Sequence, residues 1–343
     1  MRDTYYRPIV QTGPARPAGA MRLAGGWCWF NHIEVLGRGR IPSIIPLANA
    51  PDDILDAIHA PRADVGALSM DRPRVMGILN ATPDSFSDGG LHAAASDAVA
   101  AGVAMRDAGV DILDIGGEST RPGAQTVPVP EETNRVVPVI AGLRDAGVDT
   151  LVSVDTRKAE VARAALNAAE SKGAGLINDV SGFTYDAALA PLAAEAQVPV
   201  CVMHAMGDPA TMQQDPQYDD VLLDVYDFLE TQIDALTRAG VARSRIIADP
   251  GIGFGKTLQH NLTLLSRLSL FHSLGVPVLL GASRKRFIGT IGGEEQAKAR
   301  APGSIGVGLA ALSHGIQILR VHDVPETIQA IALWRAAMAG RQI

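Results

Sequence analysis

Cysteine is nearly absent. Cys28 and Cys201 are the only two in 343 residues, and they form no Cys-x-x-Cys. That excludes a disulfide framework and a thiolate metal knuckle, and a reducing cytosol is the compartment that fits. Positive charge is in deficit, with 30 Lys and Arg against 37 Asp and Glu and a net charge of −7. Nucleic acid and membrane surfaces are therefore poor main partners. No apolar run is long enough to cross a bilayer, and the first residues, Met1 to Pro8, lack an apolar targeting stretch. Aromatics make up only 4%, so helix–strand contacts must be built from small side chains. His204, His260, His272 and His322 show no close pair at ligand spacing. What remains is 47% hydrophobic residues, ample for a sizeable core.

The chain divides near residue 73. Residues 1–73 hold two of the three Trp and read as an N-terminal accessory segment. Thr12 to Ala20 is a Pro- and Gly-rich loop, Met21 to Gly37 carries two runs able to pair as a hairpin, and Pro51 to Ala60 suits a short helix with Asn49 as cap. The segment is expected to support the barrel's N-terminal face rather than to catalyse. From Arg74 short β-rich runs alternate with Ala-rich helical runs. The strands are expected at Val75–Asn80, Ile112–Ile115, Leu151–Val154, Leu176–Asn178, Val200–Met203, Ile246–Asp249, Val278–Gly281 and Ile316–Arg320. Helical runs such as Ala94–Ala108, Arg157–Glu170, Tyr218–Ala239 and Pro325–Ala339 lie between and after them. Eight such units over residues 74–343 predict an α/β fold, a (β/α)8 TIM barrel. A doubly wound sheet is the runner-up, but no Gly-x-Gly-x-x-Gly turn follows the first strand.

In a barrel all eight strand-to-helix turns share one mouth. Read in order they are unusually polar: Asn80, then Asp114 with the Gly116 to Gly123 turn, then Asp155, Asn178, Met203 with His204, Asp249, Ser283 with Lys285, and Arg320 with His322. Capping accounts for Asp323, Thr156 and Asp179 individually, but not for eight polar ends in eight turns. The stretch from Asp249 to Lys256 is a glycine-rich strand-to-helix turn. It is no Walker loop, since Pro250 stands where the first glycine belongs. Asp155, Asn178 and Asp249 on neighbouring strands suit a flat heterocycle with an amino-amidine edge. Lys285, Arg320 and His322 on the last two strands suit phosphate. A hard cation held largely by that phosphate, with one Asn or Asp oxygen, also fits.

These stretches resemble one family. Gly77 to Gly90 (GILNATPDSFSDGG) and Asp114 to Gly123 (DIGGESTRPG) look like the two signatures of dihydropteroate synthases. Ser153-Val154-Asp155-Thr156, Ile177-Asn178-Asp179, Met203-His204, Asp249 to Lys256 (DPGIGFGK), Ser283-Arg284-Lys285 and Arg320-Val321-His322-Asp323 follow in the family's order. Arg286 departs from it, since many relatives have Ser there, against the substrate carboxylate.

The resemblance implies a transferase of folate biosynthesis that condenses 6-hydroxymethyl-7,8-dihydropterin diphosphate with 4-aminobenzoate. It implies that Asp155, Asn178 and Asp249 hold the pterin edge and that Lys285 meets its carbonyl and ring nitrogen. Arg320 covers the ring and reaches the diphosphate with His322. Thr120 and Arg121 bind diphosphate, Asn80 binds Mg2+, and Phe86, Pro122 and Phe254 form the aminobenzoate slot. Met203 and Ser283, in the matching motifs, complete the substrate-binding set. Asp155, Asp249, Lys285 and Arg320 are the expected catalytic groups, and Asp114 is expected to orient Arg320 or Lys285. The segments Asn80 to Gly90 and Gly116 to Pro130 are expected to order around diphosphate, so that 4-aminobenzoate binds second. The resemblance further implies a homodimer, and the cysteine count fits a cytoplasmic protein. Two alternatives are a pterin-dependent methyltransferase, which has little need of a diphosphate site, and a catalytically silent pterin-binding paralogue.

Overall fold

The computed structural model describes residues 2–81, 90–119, 124–169, 172–207 and 211–342. The chain opens with strands β1 (Tyr5–Gln11), β2 (Met21–Arg22), β3 (Trp29–Leu36) and β4 (Ser43–Pro46), followed by helix α1 (Asp52–His59). β3 is the centre of this antiparallel sheet, with β1 along one edge and β2 and β4 on the other. The two runs within Met21 to Gly37 do pair with each other. Neither β1 nor β4 was expected from the pattern. The Asn49 cap is corrected: Asn49 ends a 3-10 turn, and α1 starts after Pro51 with no side-chain cap. Pro51 supplies the extended entry that the cap residue would have set.

The remainder alternates strand and helix: β5 (Arg74–Asn80), α2 (Gly90–Asp107), β6 (Ile112–Gly116), α3 (Val129–Asp145), β7 (Leu151–Asp155), α4 (Ala159–Leu166), β8 (Leu176–Asp179), α5 (Leu189–Ala196), β9 (Val200–Met203), α6 (Val221–Arg238), β10 (Ile246–Asp249), α7 (Leu258–Ser266), β11 (Leu279–Leu280), α8 (Arg286–Gly292), α9 (Ala301–Ser313), β12 (Ile318–Val321) and α10 (Val324–Ala339). The eight strands β5 to β12 are parallel and ordered β10-β9-β8-β7-β6-β5-β12-β11. A parallel bridge from Ala248 to Val278, with Ala248 N donating to Pro277 O at 2.9 Å, joins the two ends. The fold is the expected (β/α)8 barrel.

Strand side chains alternate in direction, and that period organises the tube. Met76, Ile112, Leu151, Leu176, Cys201, Ile247, Leu279 and Ile318, one from each strand, form a single apolar cluster. Val65, Leu68 and Met70, just before the barrel, join it and close its N-terminal end. The β1–β4 sheet lies outside the tube instead. Tyr5 meets Tyr226 edge-on at 5.3 Å, and its hydroxyl donates to Asp227 at 2.8 Å. Arg38 bridges Asp224 and Asp227 of α6 at 2.5 and 2.8 Å. Trp27 Nε1 donates to Leu312 O on α9 at 3.0 Å. The apolar run after Thr257 divides, giving α7 and then a fully buried 3-10 turn, Leu268–Leu274, beneath this sheet.

Candidate active site

Two residues above the apolar layer, the same strand faces change chemistry. Ile112 leads to Asp114, Leu151 to Ser153, Leu176 to Asn178, Cys201 to Met203, Ile247 to Asp249, Leu279 to Gly281 and Ile318 to Arg320. Asp155 lies two further along β7 and pairs in register with Asn178. Asp249 pairs with Met203.

Asp114 is the hub of this layer. Its Oδ2 accepts from Arg320 Nε at 2.6 Å and from Asn178 Nδ2 at 3.1 Å. Arg320 Nη2 then donates to Asp155 Oδ2 at 2.6 Å. One guanidinium thus joins two carboxylates, a geometry to which its fixed fork is suited. Asp114 orients Arg320 and Asn178, and Lys285 is not among its partners. Asp114 Oδ1 and Ser153 Oγ are buried without a hydrogen-bond partner, and the two residues are paired in register. Buried polar atoms are normally satisfied, so the floor of the mouth is built to receive a ligand or water with hydrogen-bond capacity.

Burial sets the titration of these groups. It raises the Asp155 carboxyl to about 7, against the pull of Arg320, with Asp114 adding to the rise. It also raises Asp249, against a 2.7 Å bond from Gly251 N to Oδ1 and the charge of Lys285. The half-buried Lys285 falls to about 7 through desolvation, opposed by Asp249. Lys285 precedes α8, donates to Ile252 O, and holds its ammonium 4.1 Å over the Phe254 ring.

The Asp249 to Lys256 turn depends on its glycines. Gly251 has φ +66°, and a Cβ there would lie 1.8 Å from His204 O. Gly253 has φ +83°, and a Cβ would press on the Lys285 stem at 2.8 Å. Lys256 is buried inside the turn. Its ammonium donates to Gly251 O at 2.9 Å and Phe254 O at 3.0 Å, and lies 2.8 Å from His204 Nδ1. Desolvation holds both Lys256 and His204 well below their usual values. Lys256 thus ties together carbonyls of the loop that carries Phe254, a role that sequence reading missed after rejecting the Walker pattern. Its position inside a run of glycines, where nothing else can fill the turn, was the available sign.

On the last two strands, Ser283 Oγ lies 3.0 Å from His322 Nδ1 and accepts from His322 N at 3.2 Å. Asp323 does not cap α10 with its side chain. It pairs with Arg284 instead, Arg284 Nε donating at 3.0 Å. Asp179 organises its own turn, accepting from Ser181 N and Phe183 N at 2.7 Å each. A buried network was also missed. Glu118 Oε1 accepts from Arg157 Nε at 3.0 Å, Lys158 contacts both Glu118 and Glu132, and Thr156 Oγ1 donates to Glu132 at 2.6 Å. Asn80 ends β5 at the rim, half-buried. Among the described residues no group of three or more His, Cys, Asp or Glu is arranged to hold a metal. At that rim Asn80 offers a single amide oxygen to any cation. Phe86, Thr120, Arg121 and Pro122 lie outside the described residues, as do the rest of residues 82–89 and 120–123 in the two segments expected to order. Among the described residues no helix is long and apolar enough to cross a membrane.

Known proteins match this arrangement. The family described as pterin binding enzyme matches residues 76–322. Dihydropteroate synthase of Escherichia coli K12 is 44% identical over 279 residues, 80% of this chain and 95% of that protein. A Xanthomonas albilineans dihydropteroate synthase solved with 4-aminobenzoic acid is 48% identical with a TM-score of 0.75, covering 81% of this chain and 98% of that one. A structure of the Xanthomonas albilineans enzyme in complex with 7,8-dihydropteroate is 45% identical with a TM-score of 0.72, covering 81% and 99%.

Proposed function

The chain belongs to the dihydropteroate synthase family of pterin-binding enzymes, and from that premise we propose how its residues divide the work. It condenses 6-hydroxymethyl-7,8-dihydropterin diphosphate with 4-aminobenzoate, giving 7,8-dihydropteroate and diphosphate. The observation that carries the residue assignment is the Asp114 hub, which fixes Arg320 and Asn178 and through Arg320 fixes Asp155.

Asp155, Asn178 and Asp249 take the amino-amidine edge of the pterin. Lys285 donates to its carbonyl and ring nitrogen. Arg320 lies at the ring and, with His322 and Ser283, faces the diphosphate. Phe254, steadied by Lys256 and lying under the Lys285 ammonium, forms one wall of the aminobenzoate slot with Phe86 and Pro122. Met203 lines the floor. Thr120 and Arg121 add to the diphosphate site. Asn80 offers one amide oxygen to Mg2+, which when bound neutralises charge on the leaving diphosphate.

The C–O bond to diphosphate breaks first, and the electron pair leaves with the diphosphate. The methylene carbon is left cationic and conjugated with the dihydropterin. Carboxylates at Asp155 and Asp249, held in a site of low dielectric, stabilise that charge without reorganising. The arylamine nitrogen is unprotonated at neutral pH and forms the C–N bond directly, then loses one proton to water or to the released diphosphate. No general base is required. The pairing of Ser283 with His322 beside Arg320 supports a diphosphate site, which a methyltransferase would not need. The same reading places the enzyme in the cytoplasm as a homodimer formed through helices on one side of the barrel.

The test is calorimetric. 4-Aminobenzoate alone should give no heat, and should bind once diphosphate, Mg2+ and a pterin are present, with turnover of the two substrates in parallel. Equal affinity in both conditions would sink the ordered assembly of the slot.

A further inference from the structure

A second cavity of about 540 Å3 lies far from the barrel mouth, between the β1–β4 sheet and the end of α10. Barrel helices run antiparallel to their strands, so the C-terminal end of α10 is on the face opposite the mouth. All the residues lining the cavity come from 12–29 and 334–341. They fall outside residues 76–322, the part that matches the pterin-binding family. The condensation reaction gives them no task.

Its lining differs from the rest of the molecule in two ways. The chain has three Trp, and all three, Trp27, Trp29 and Trp334, line this one cavity. Trp27 and Trp29 have their indole N–H groups satisfied by Leu312 O at 3.0 Å and Gly13 O at 2.8 Å. Those bonds fix two of the ring planes while leaving them half-exposed. The chain carries a net charge of −7, yet Arg16, Arg22, Arg335 and Arg341 line the cavity and no Asp or Glu does. Among the described residues none of these four guanidiniums pairs with a carboxylate. In an acidic protein, four arginines lining one cavity with no carboxylate among its walls make a local reversal of potential.

We propose that this cavity binds a small molecule with a planar aromatic ring and a di- or triphosphate, the chemistry of a nucleotide. Fixed indoles supply stacking surfaces that accept any flat heterocycle. Guanidiniums match phosphate oxygens two at a time. The volume falls in the range of small-molecule sites, about 300–1,000 Å3, and holds one nucleotide rather than a macromolecule. Two sources share this chemistry: a free nucleoside triphosphate, and the pterin diphosphate that the barrel itself consumes.

The three Trp make the test specific, because no tryptophan stands elsewhere in the chain and intrinsic fluorescence reports on this cavity alone. Titrating the full-length protein with ATP should give a saturable change with a midpoint below about 1 mM. Adenosine and inorganic diphosphate should each bind at least about tenfold more weakly than ATP, since each offers only half of the recognition. Calorimetry with pterin diphosphate then distinguishes the sources: a second stoichiometric site assigns the cavity to the enzyme's own substrate, and a single site assigns it to a nucleotide. The double variant Arg335→Glu, Arg341→Glu should weaken ATP at least about tenfold and leave turnover unchanged. No saturable change in the wild-type protein, binding of inorganic diphosphate as tight as that of ATP, or an unchanged ATP midpoint in the double variant would each overturn the proposal.

Discussion

Two layers of side chains fill the same tube two residues apart and do opposite work. The lower one, Met76, Ile112, Leu176, Cys201, Ile247, Leu279 and Ile318 with Val65 and Met70, is apolar and closed. The upper one, Asp114, Ser153, Asn178, Asp249 and Arg320, is polar, buried or half-buried, and incompletely satisfied. The strands are continuous through both layers, so backbone geometry is shared and only the side chains differ. Buried charges are held where they are because an apolar plug below supplies the packing that charges cannot. Stability and chemistry are thus separated by about 7 Å of strand, the rise of two residues.

That separation can be broken from either side. The largest effect is expected at the mouth. Lys285→Ala removes the ammonium proposed to meet the pterin and should lower turnover by about 10²–10³-fold, the range for loss of one electrostatic donor. The thermal midpoint should not fall, because near neutral pH the Lys285 charge bears a desolvation cost that the variant removes. Purified variant with near-normal turnover would remove Lys285 from the site. In the lower layer the expectation inverts. Met70→Ala empties part of a fully buried plug and should cost about 2–5 kcal/mol in stability, read by denaturant unfolding. Its kcat and KM at 25 °C should stay close to wild type. A large loss of activity without loss of stability would show that the plug shapes the mouth, and that the two layers are not independent.

How much of this could be read beforehand follows the same division. The eight strands and their polar ends are local patterns, and Asp155, Asn178 and Asp249 were identifiable because parallel strand ends must converge. What a residue does with a partner far along the chain was harder. Asp114 and Arg320 are 206 positions apart, so only the closed barrel tells which cation Asp114 holds. Lys256 was set aside because no phosphate loop fitted, while its partners are carbonyls of its own turn and His204, 52 positions away, signalled only by the glycines around it. β1 and β4 were missed for a similar reason. β4 is a four-residue strand with mostly exposed side chains, so its pairing with β3 is a tertiary choice rather than a propensity.

The smallest expected effect is the most diagnostic of the upper layer, because it depends on two groups driven toward each other in pH. Burial brings the Asp155 carboxyl up to about 7 and the Lys285 ammonium down to about 7. Asp155 is raised above its unfolded value of 3.8, so its contribution to stability is full below that value and is lost as pH rises through about 7. Lys285 is depressed below 10.5, so its contribution is present above that value and is lost as pH falls through about 7. Near neutrality the free protein therefore carries the full cost of both charges, and it is there that the pterin, by pairing with both, should raise the thermal midpoint most. The proposed mechanism needs the carboxylate and the ammonium together. The profile of kcat/KM, which reports the free enzyme, should be a narrow bell centred near 7, falling about threefold one unit to either side. The acid limb belongs to Asp155 and the alkaline limb to Lys285. Lys285→Arg separates them, since a guanidinium stays charged throughout. The variant should be slower overall and should lose the alkaline limb while keeping the acid one. A wild-type profile that is flat between pH 6 and 8, or an alkaline limb that survives in Lys285→Arg, would mean that these two buried charges do not set the chemistry of the mouth.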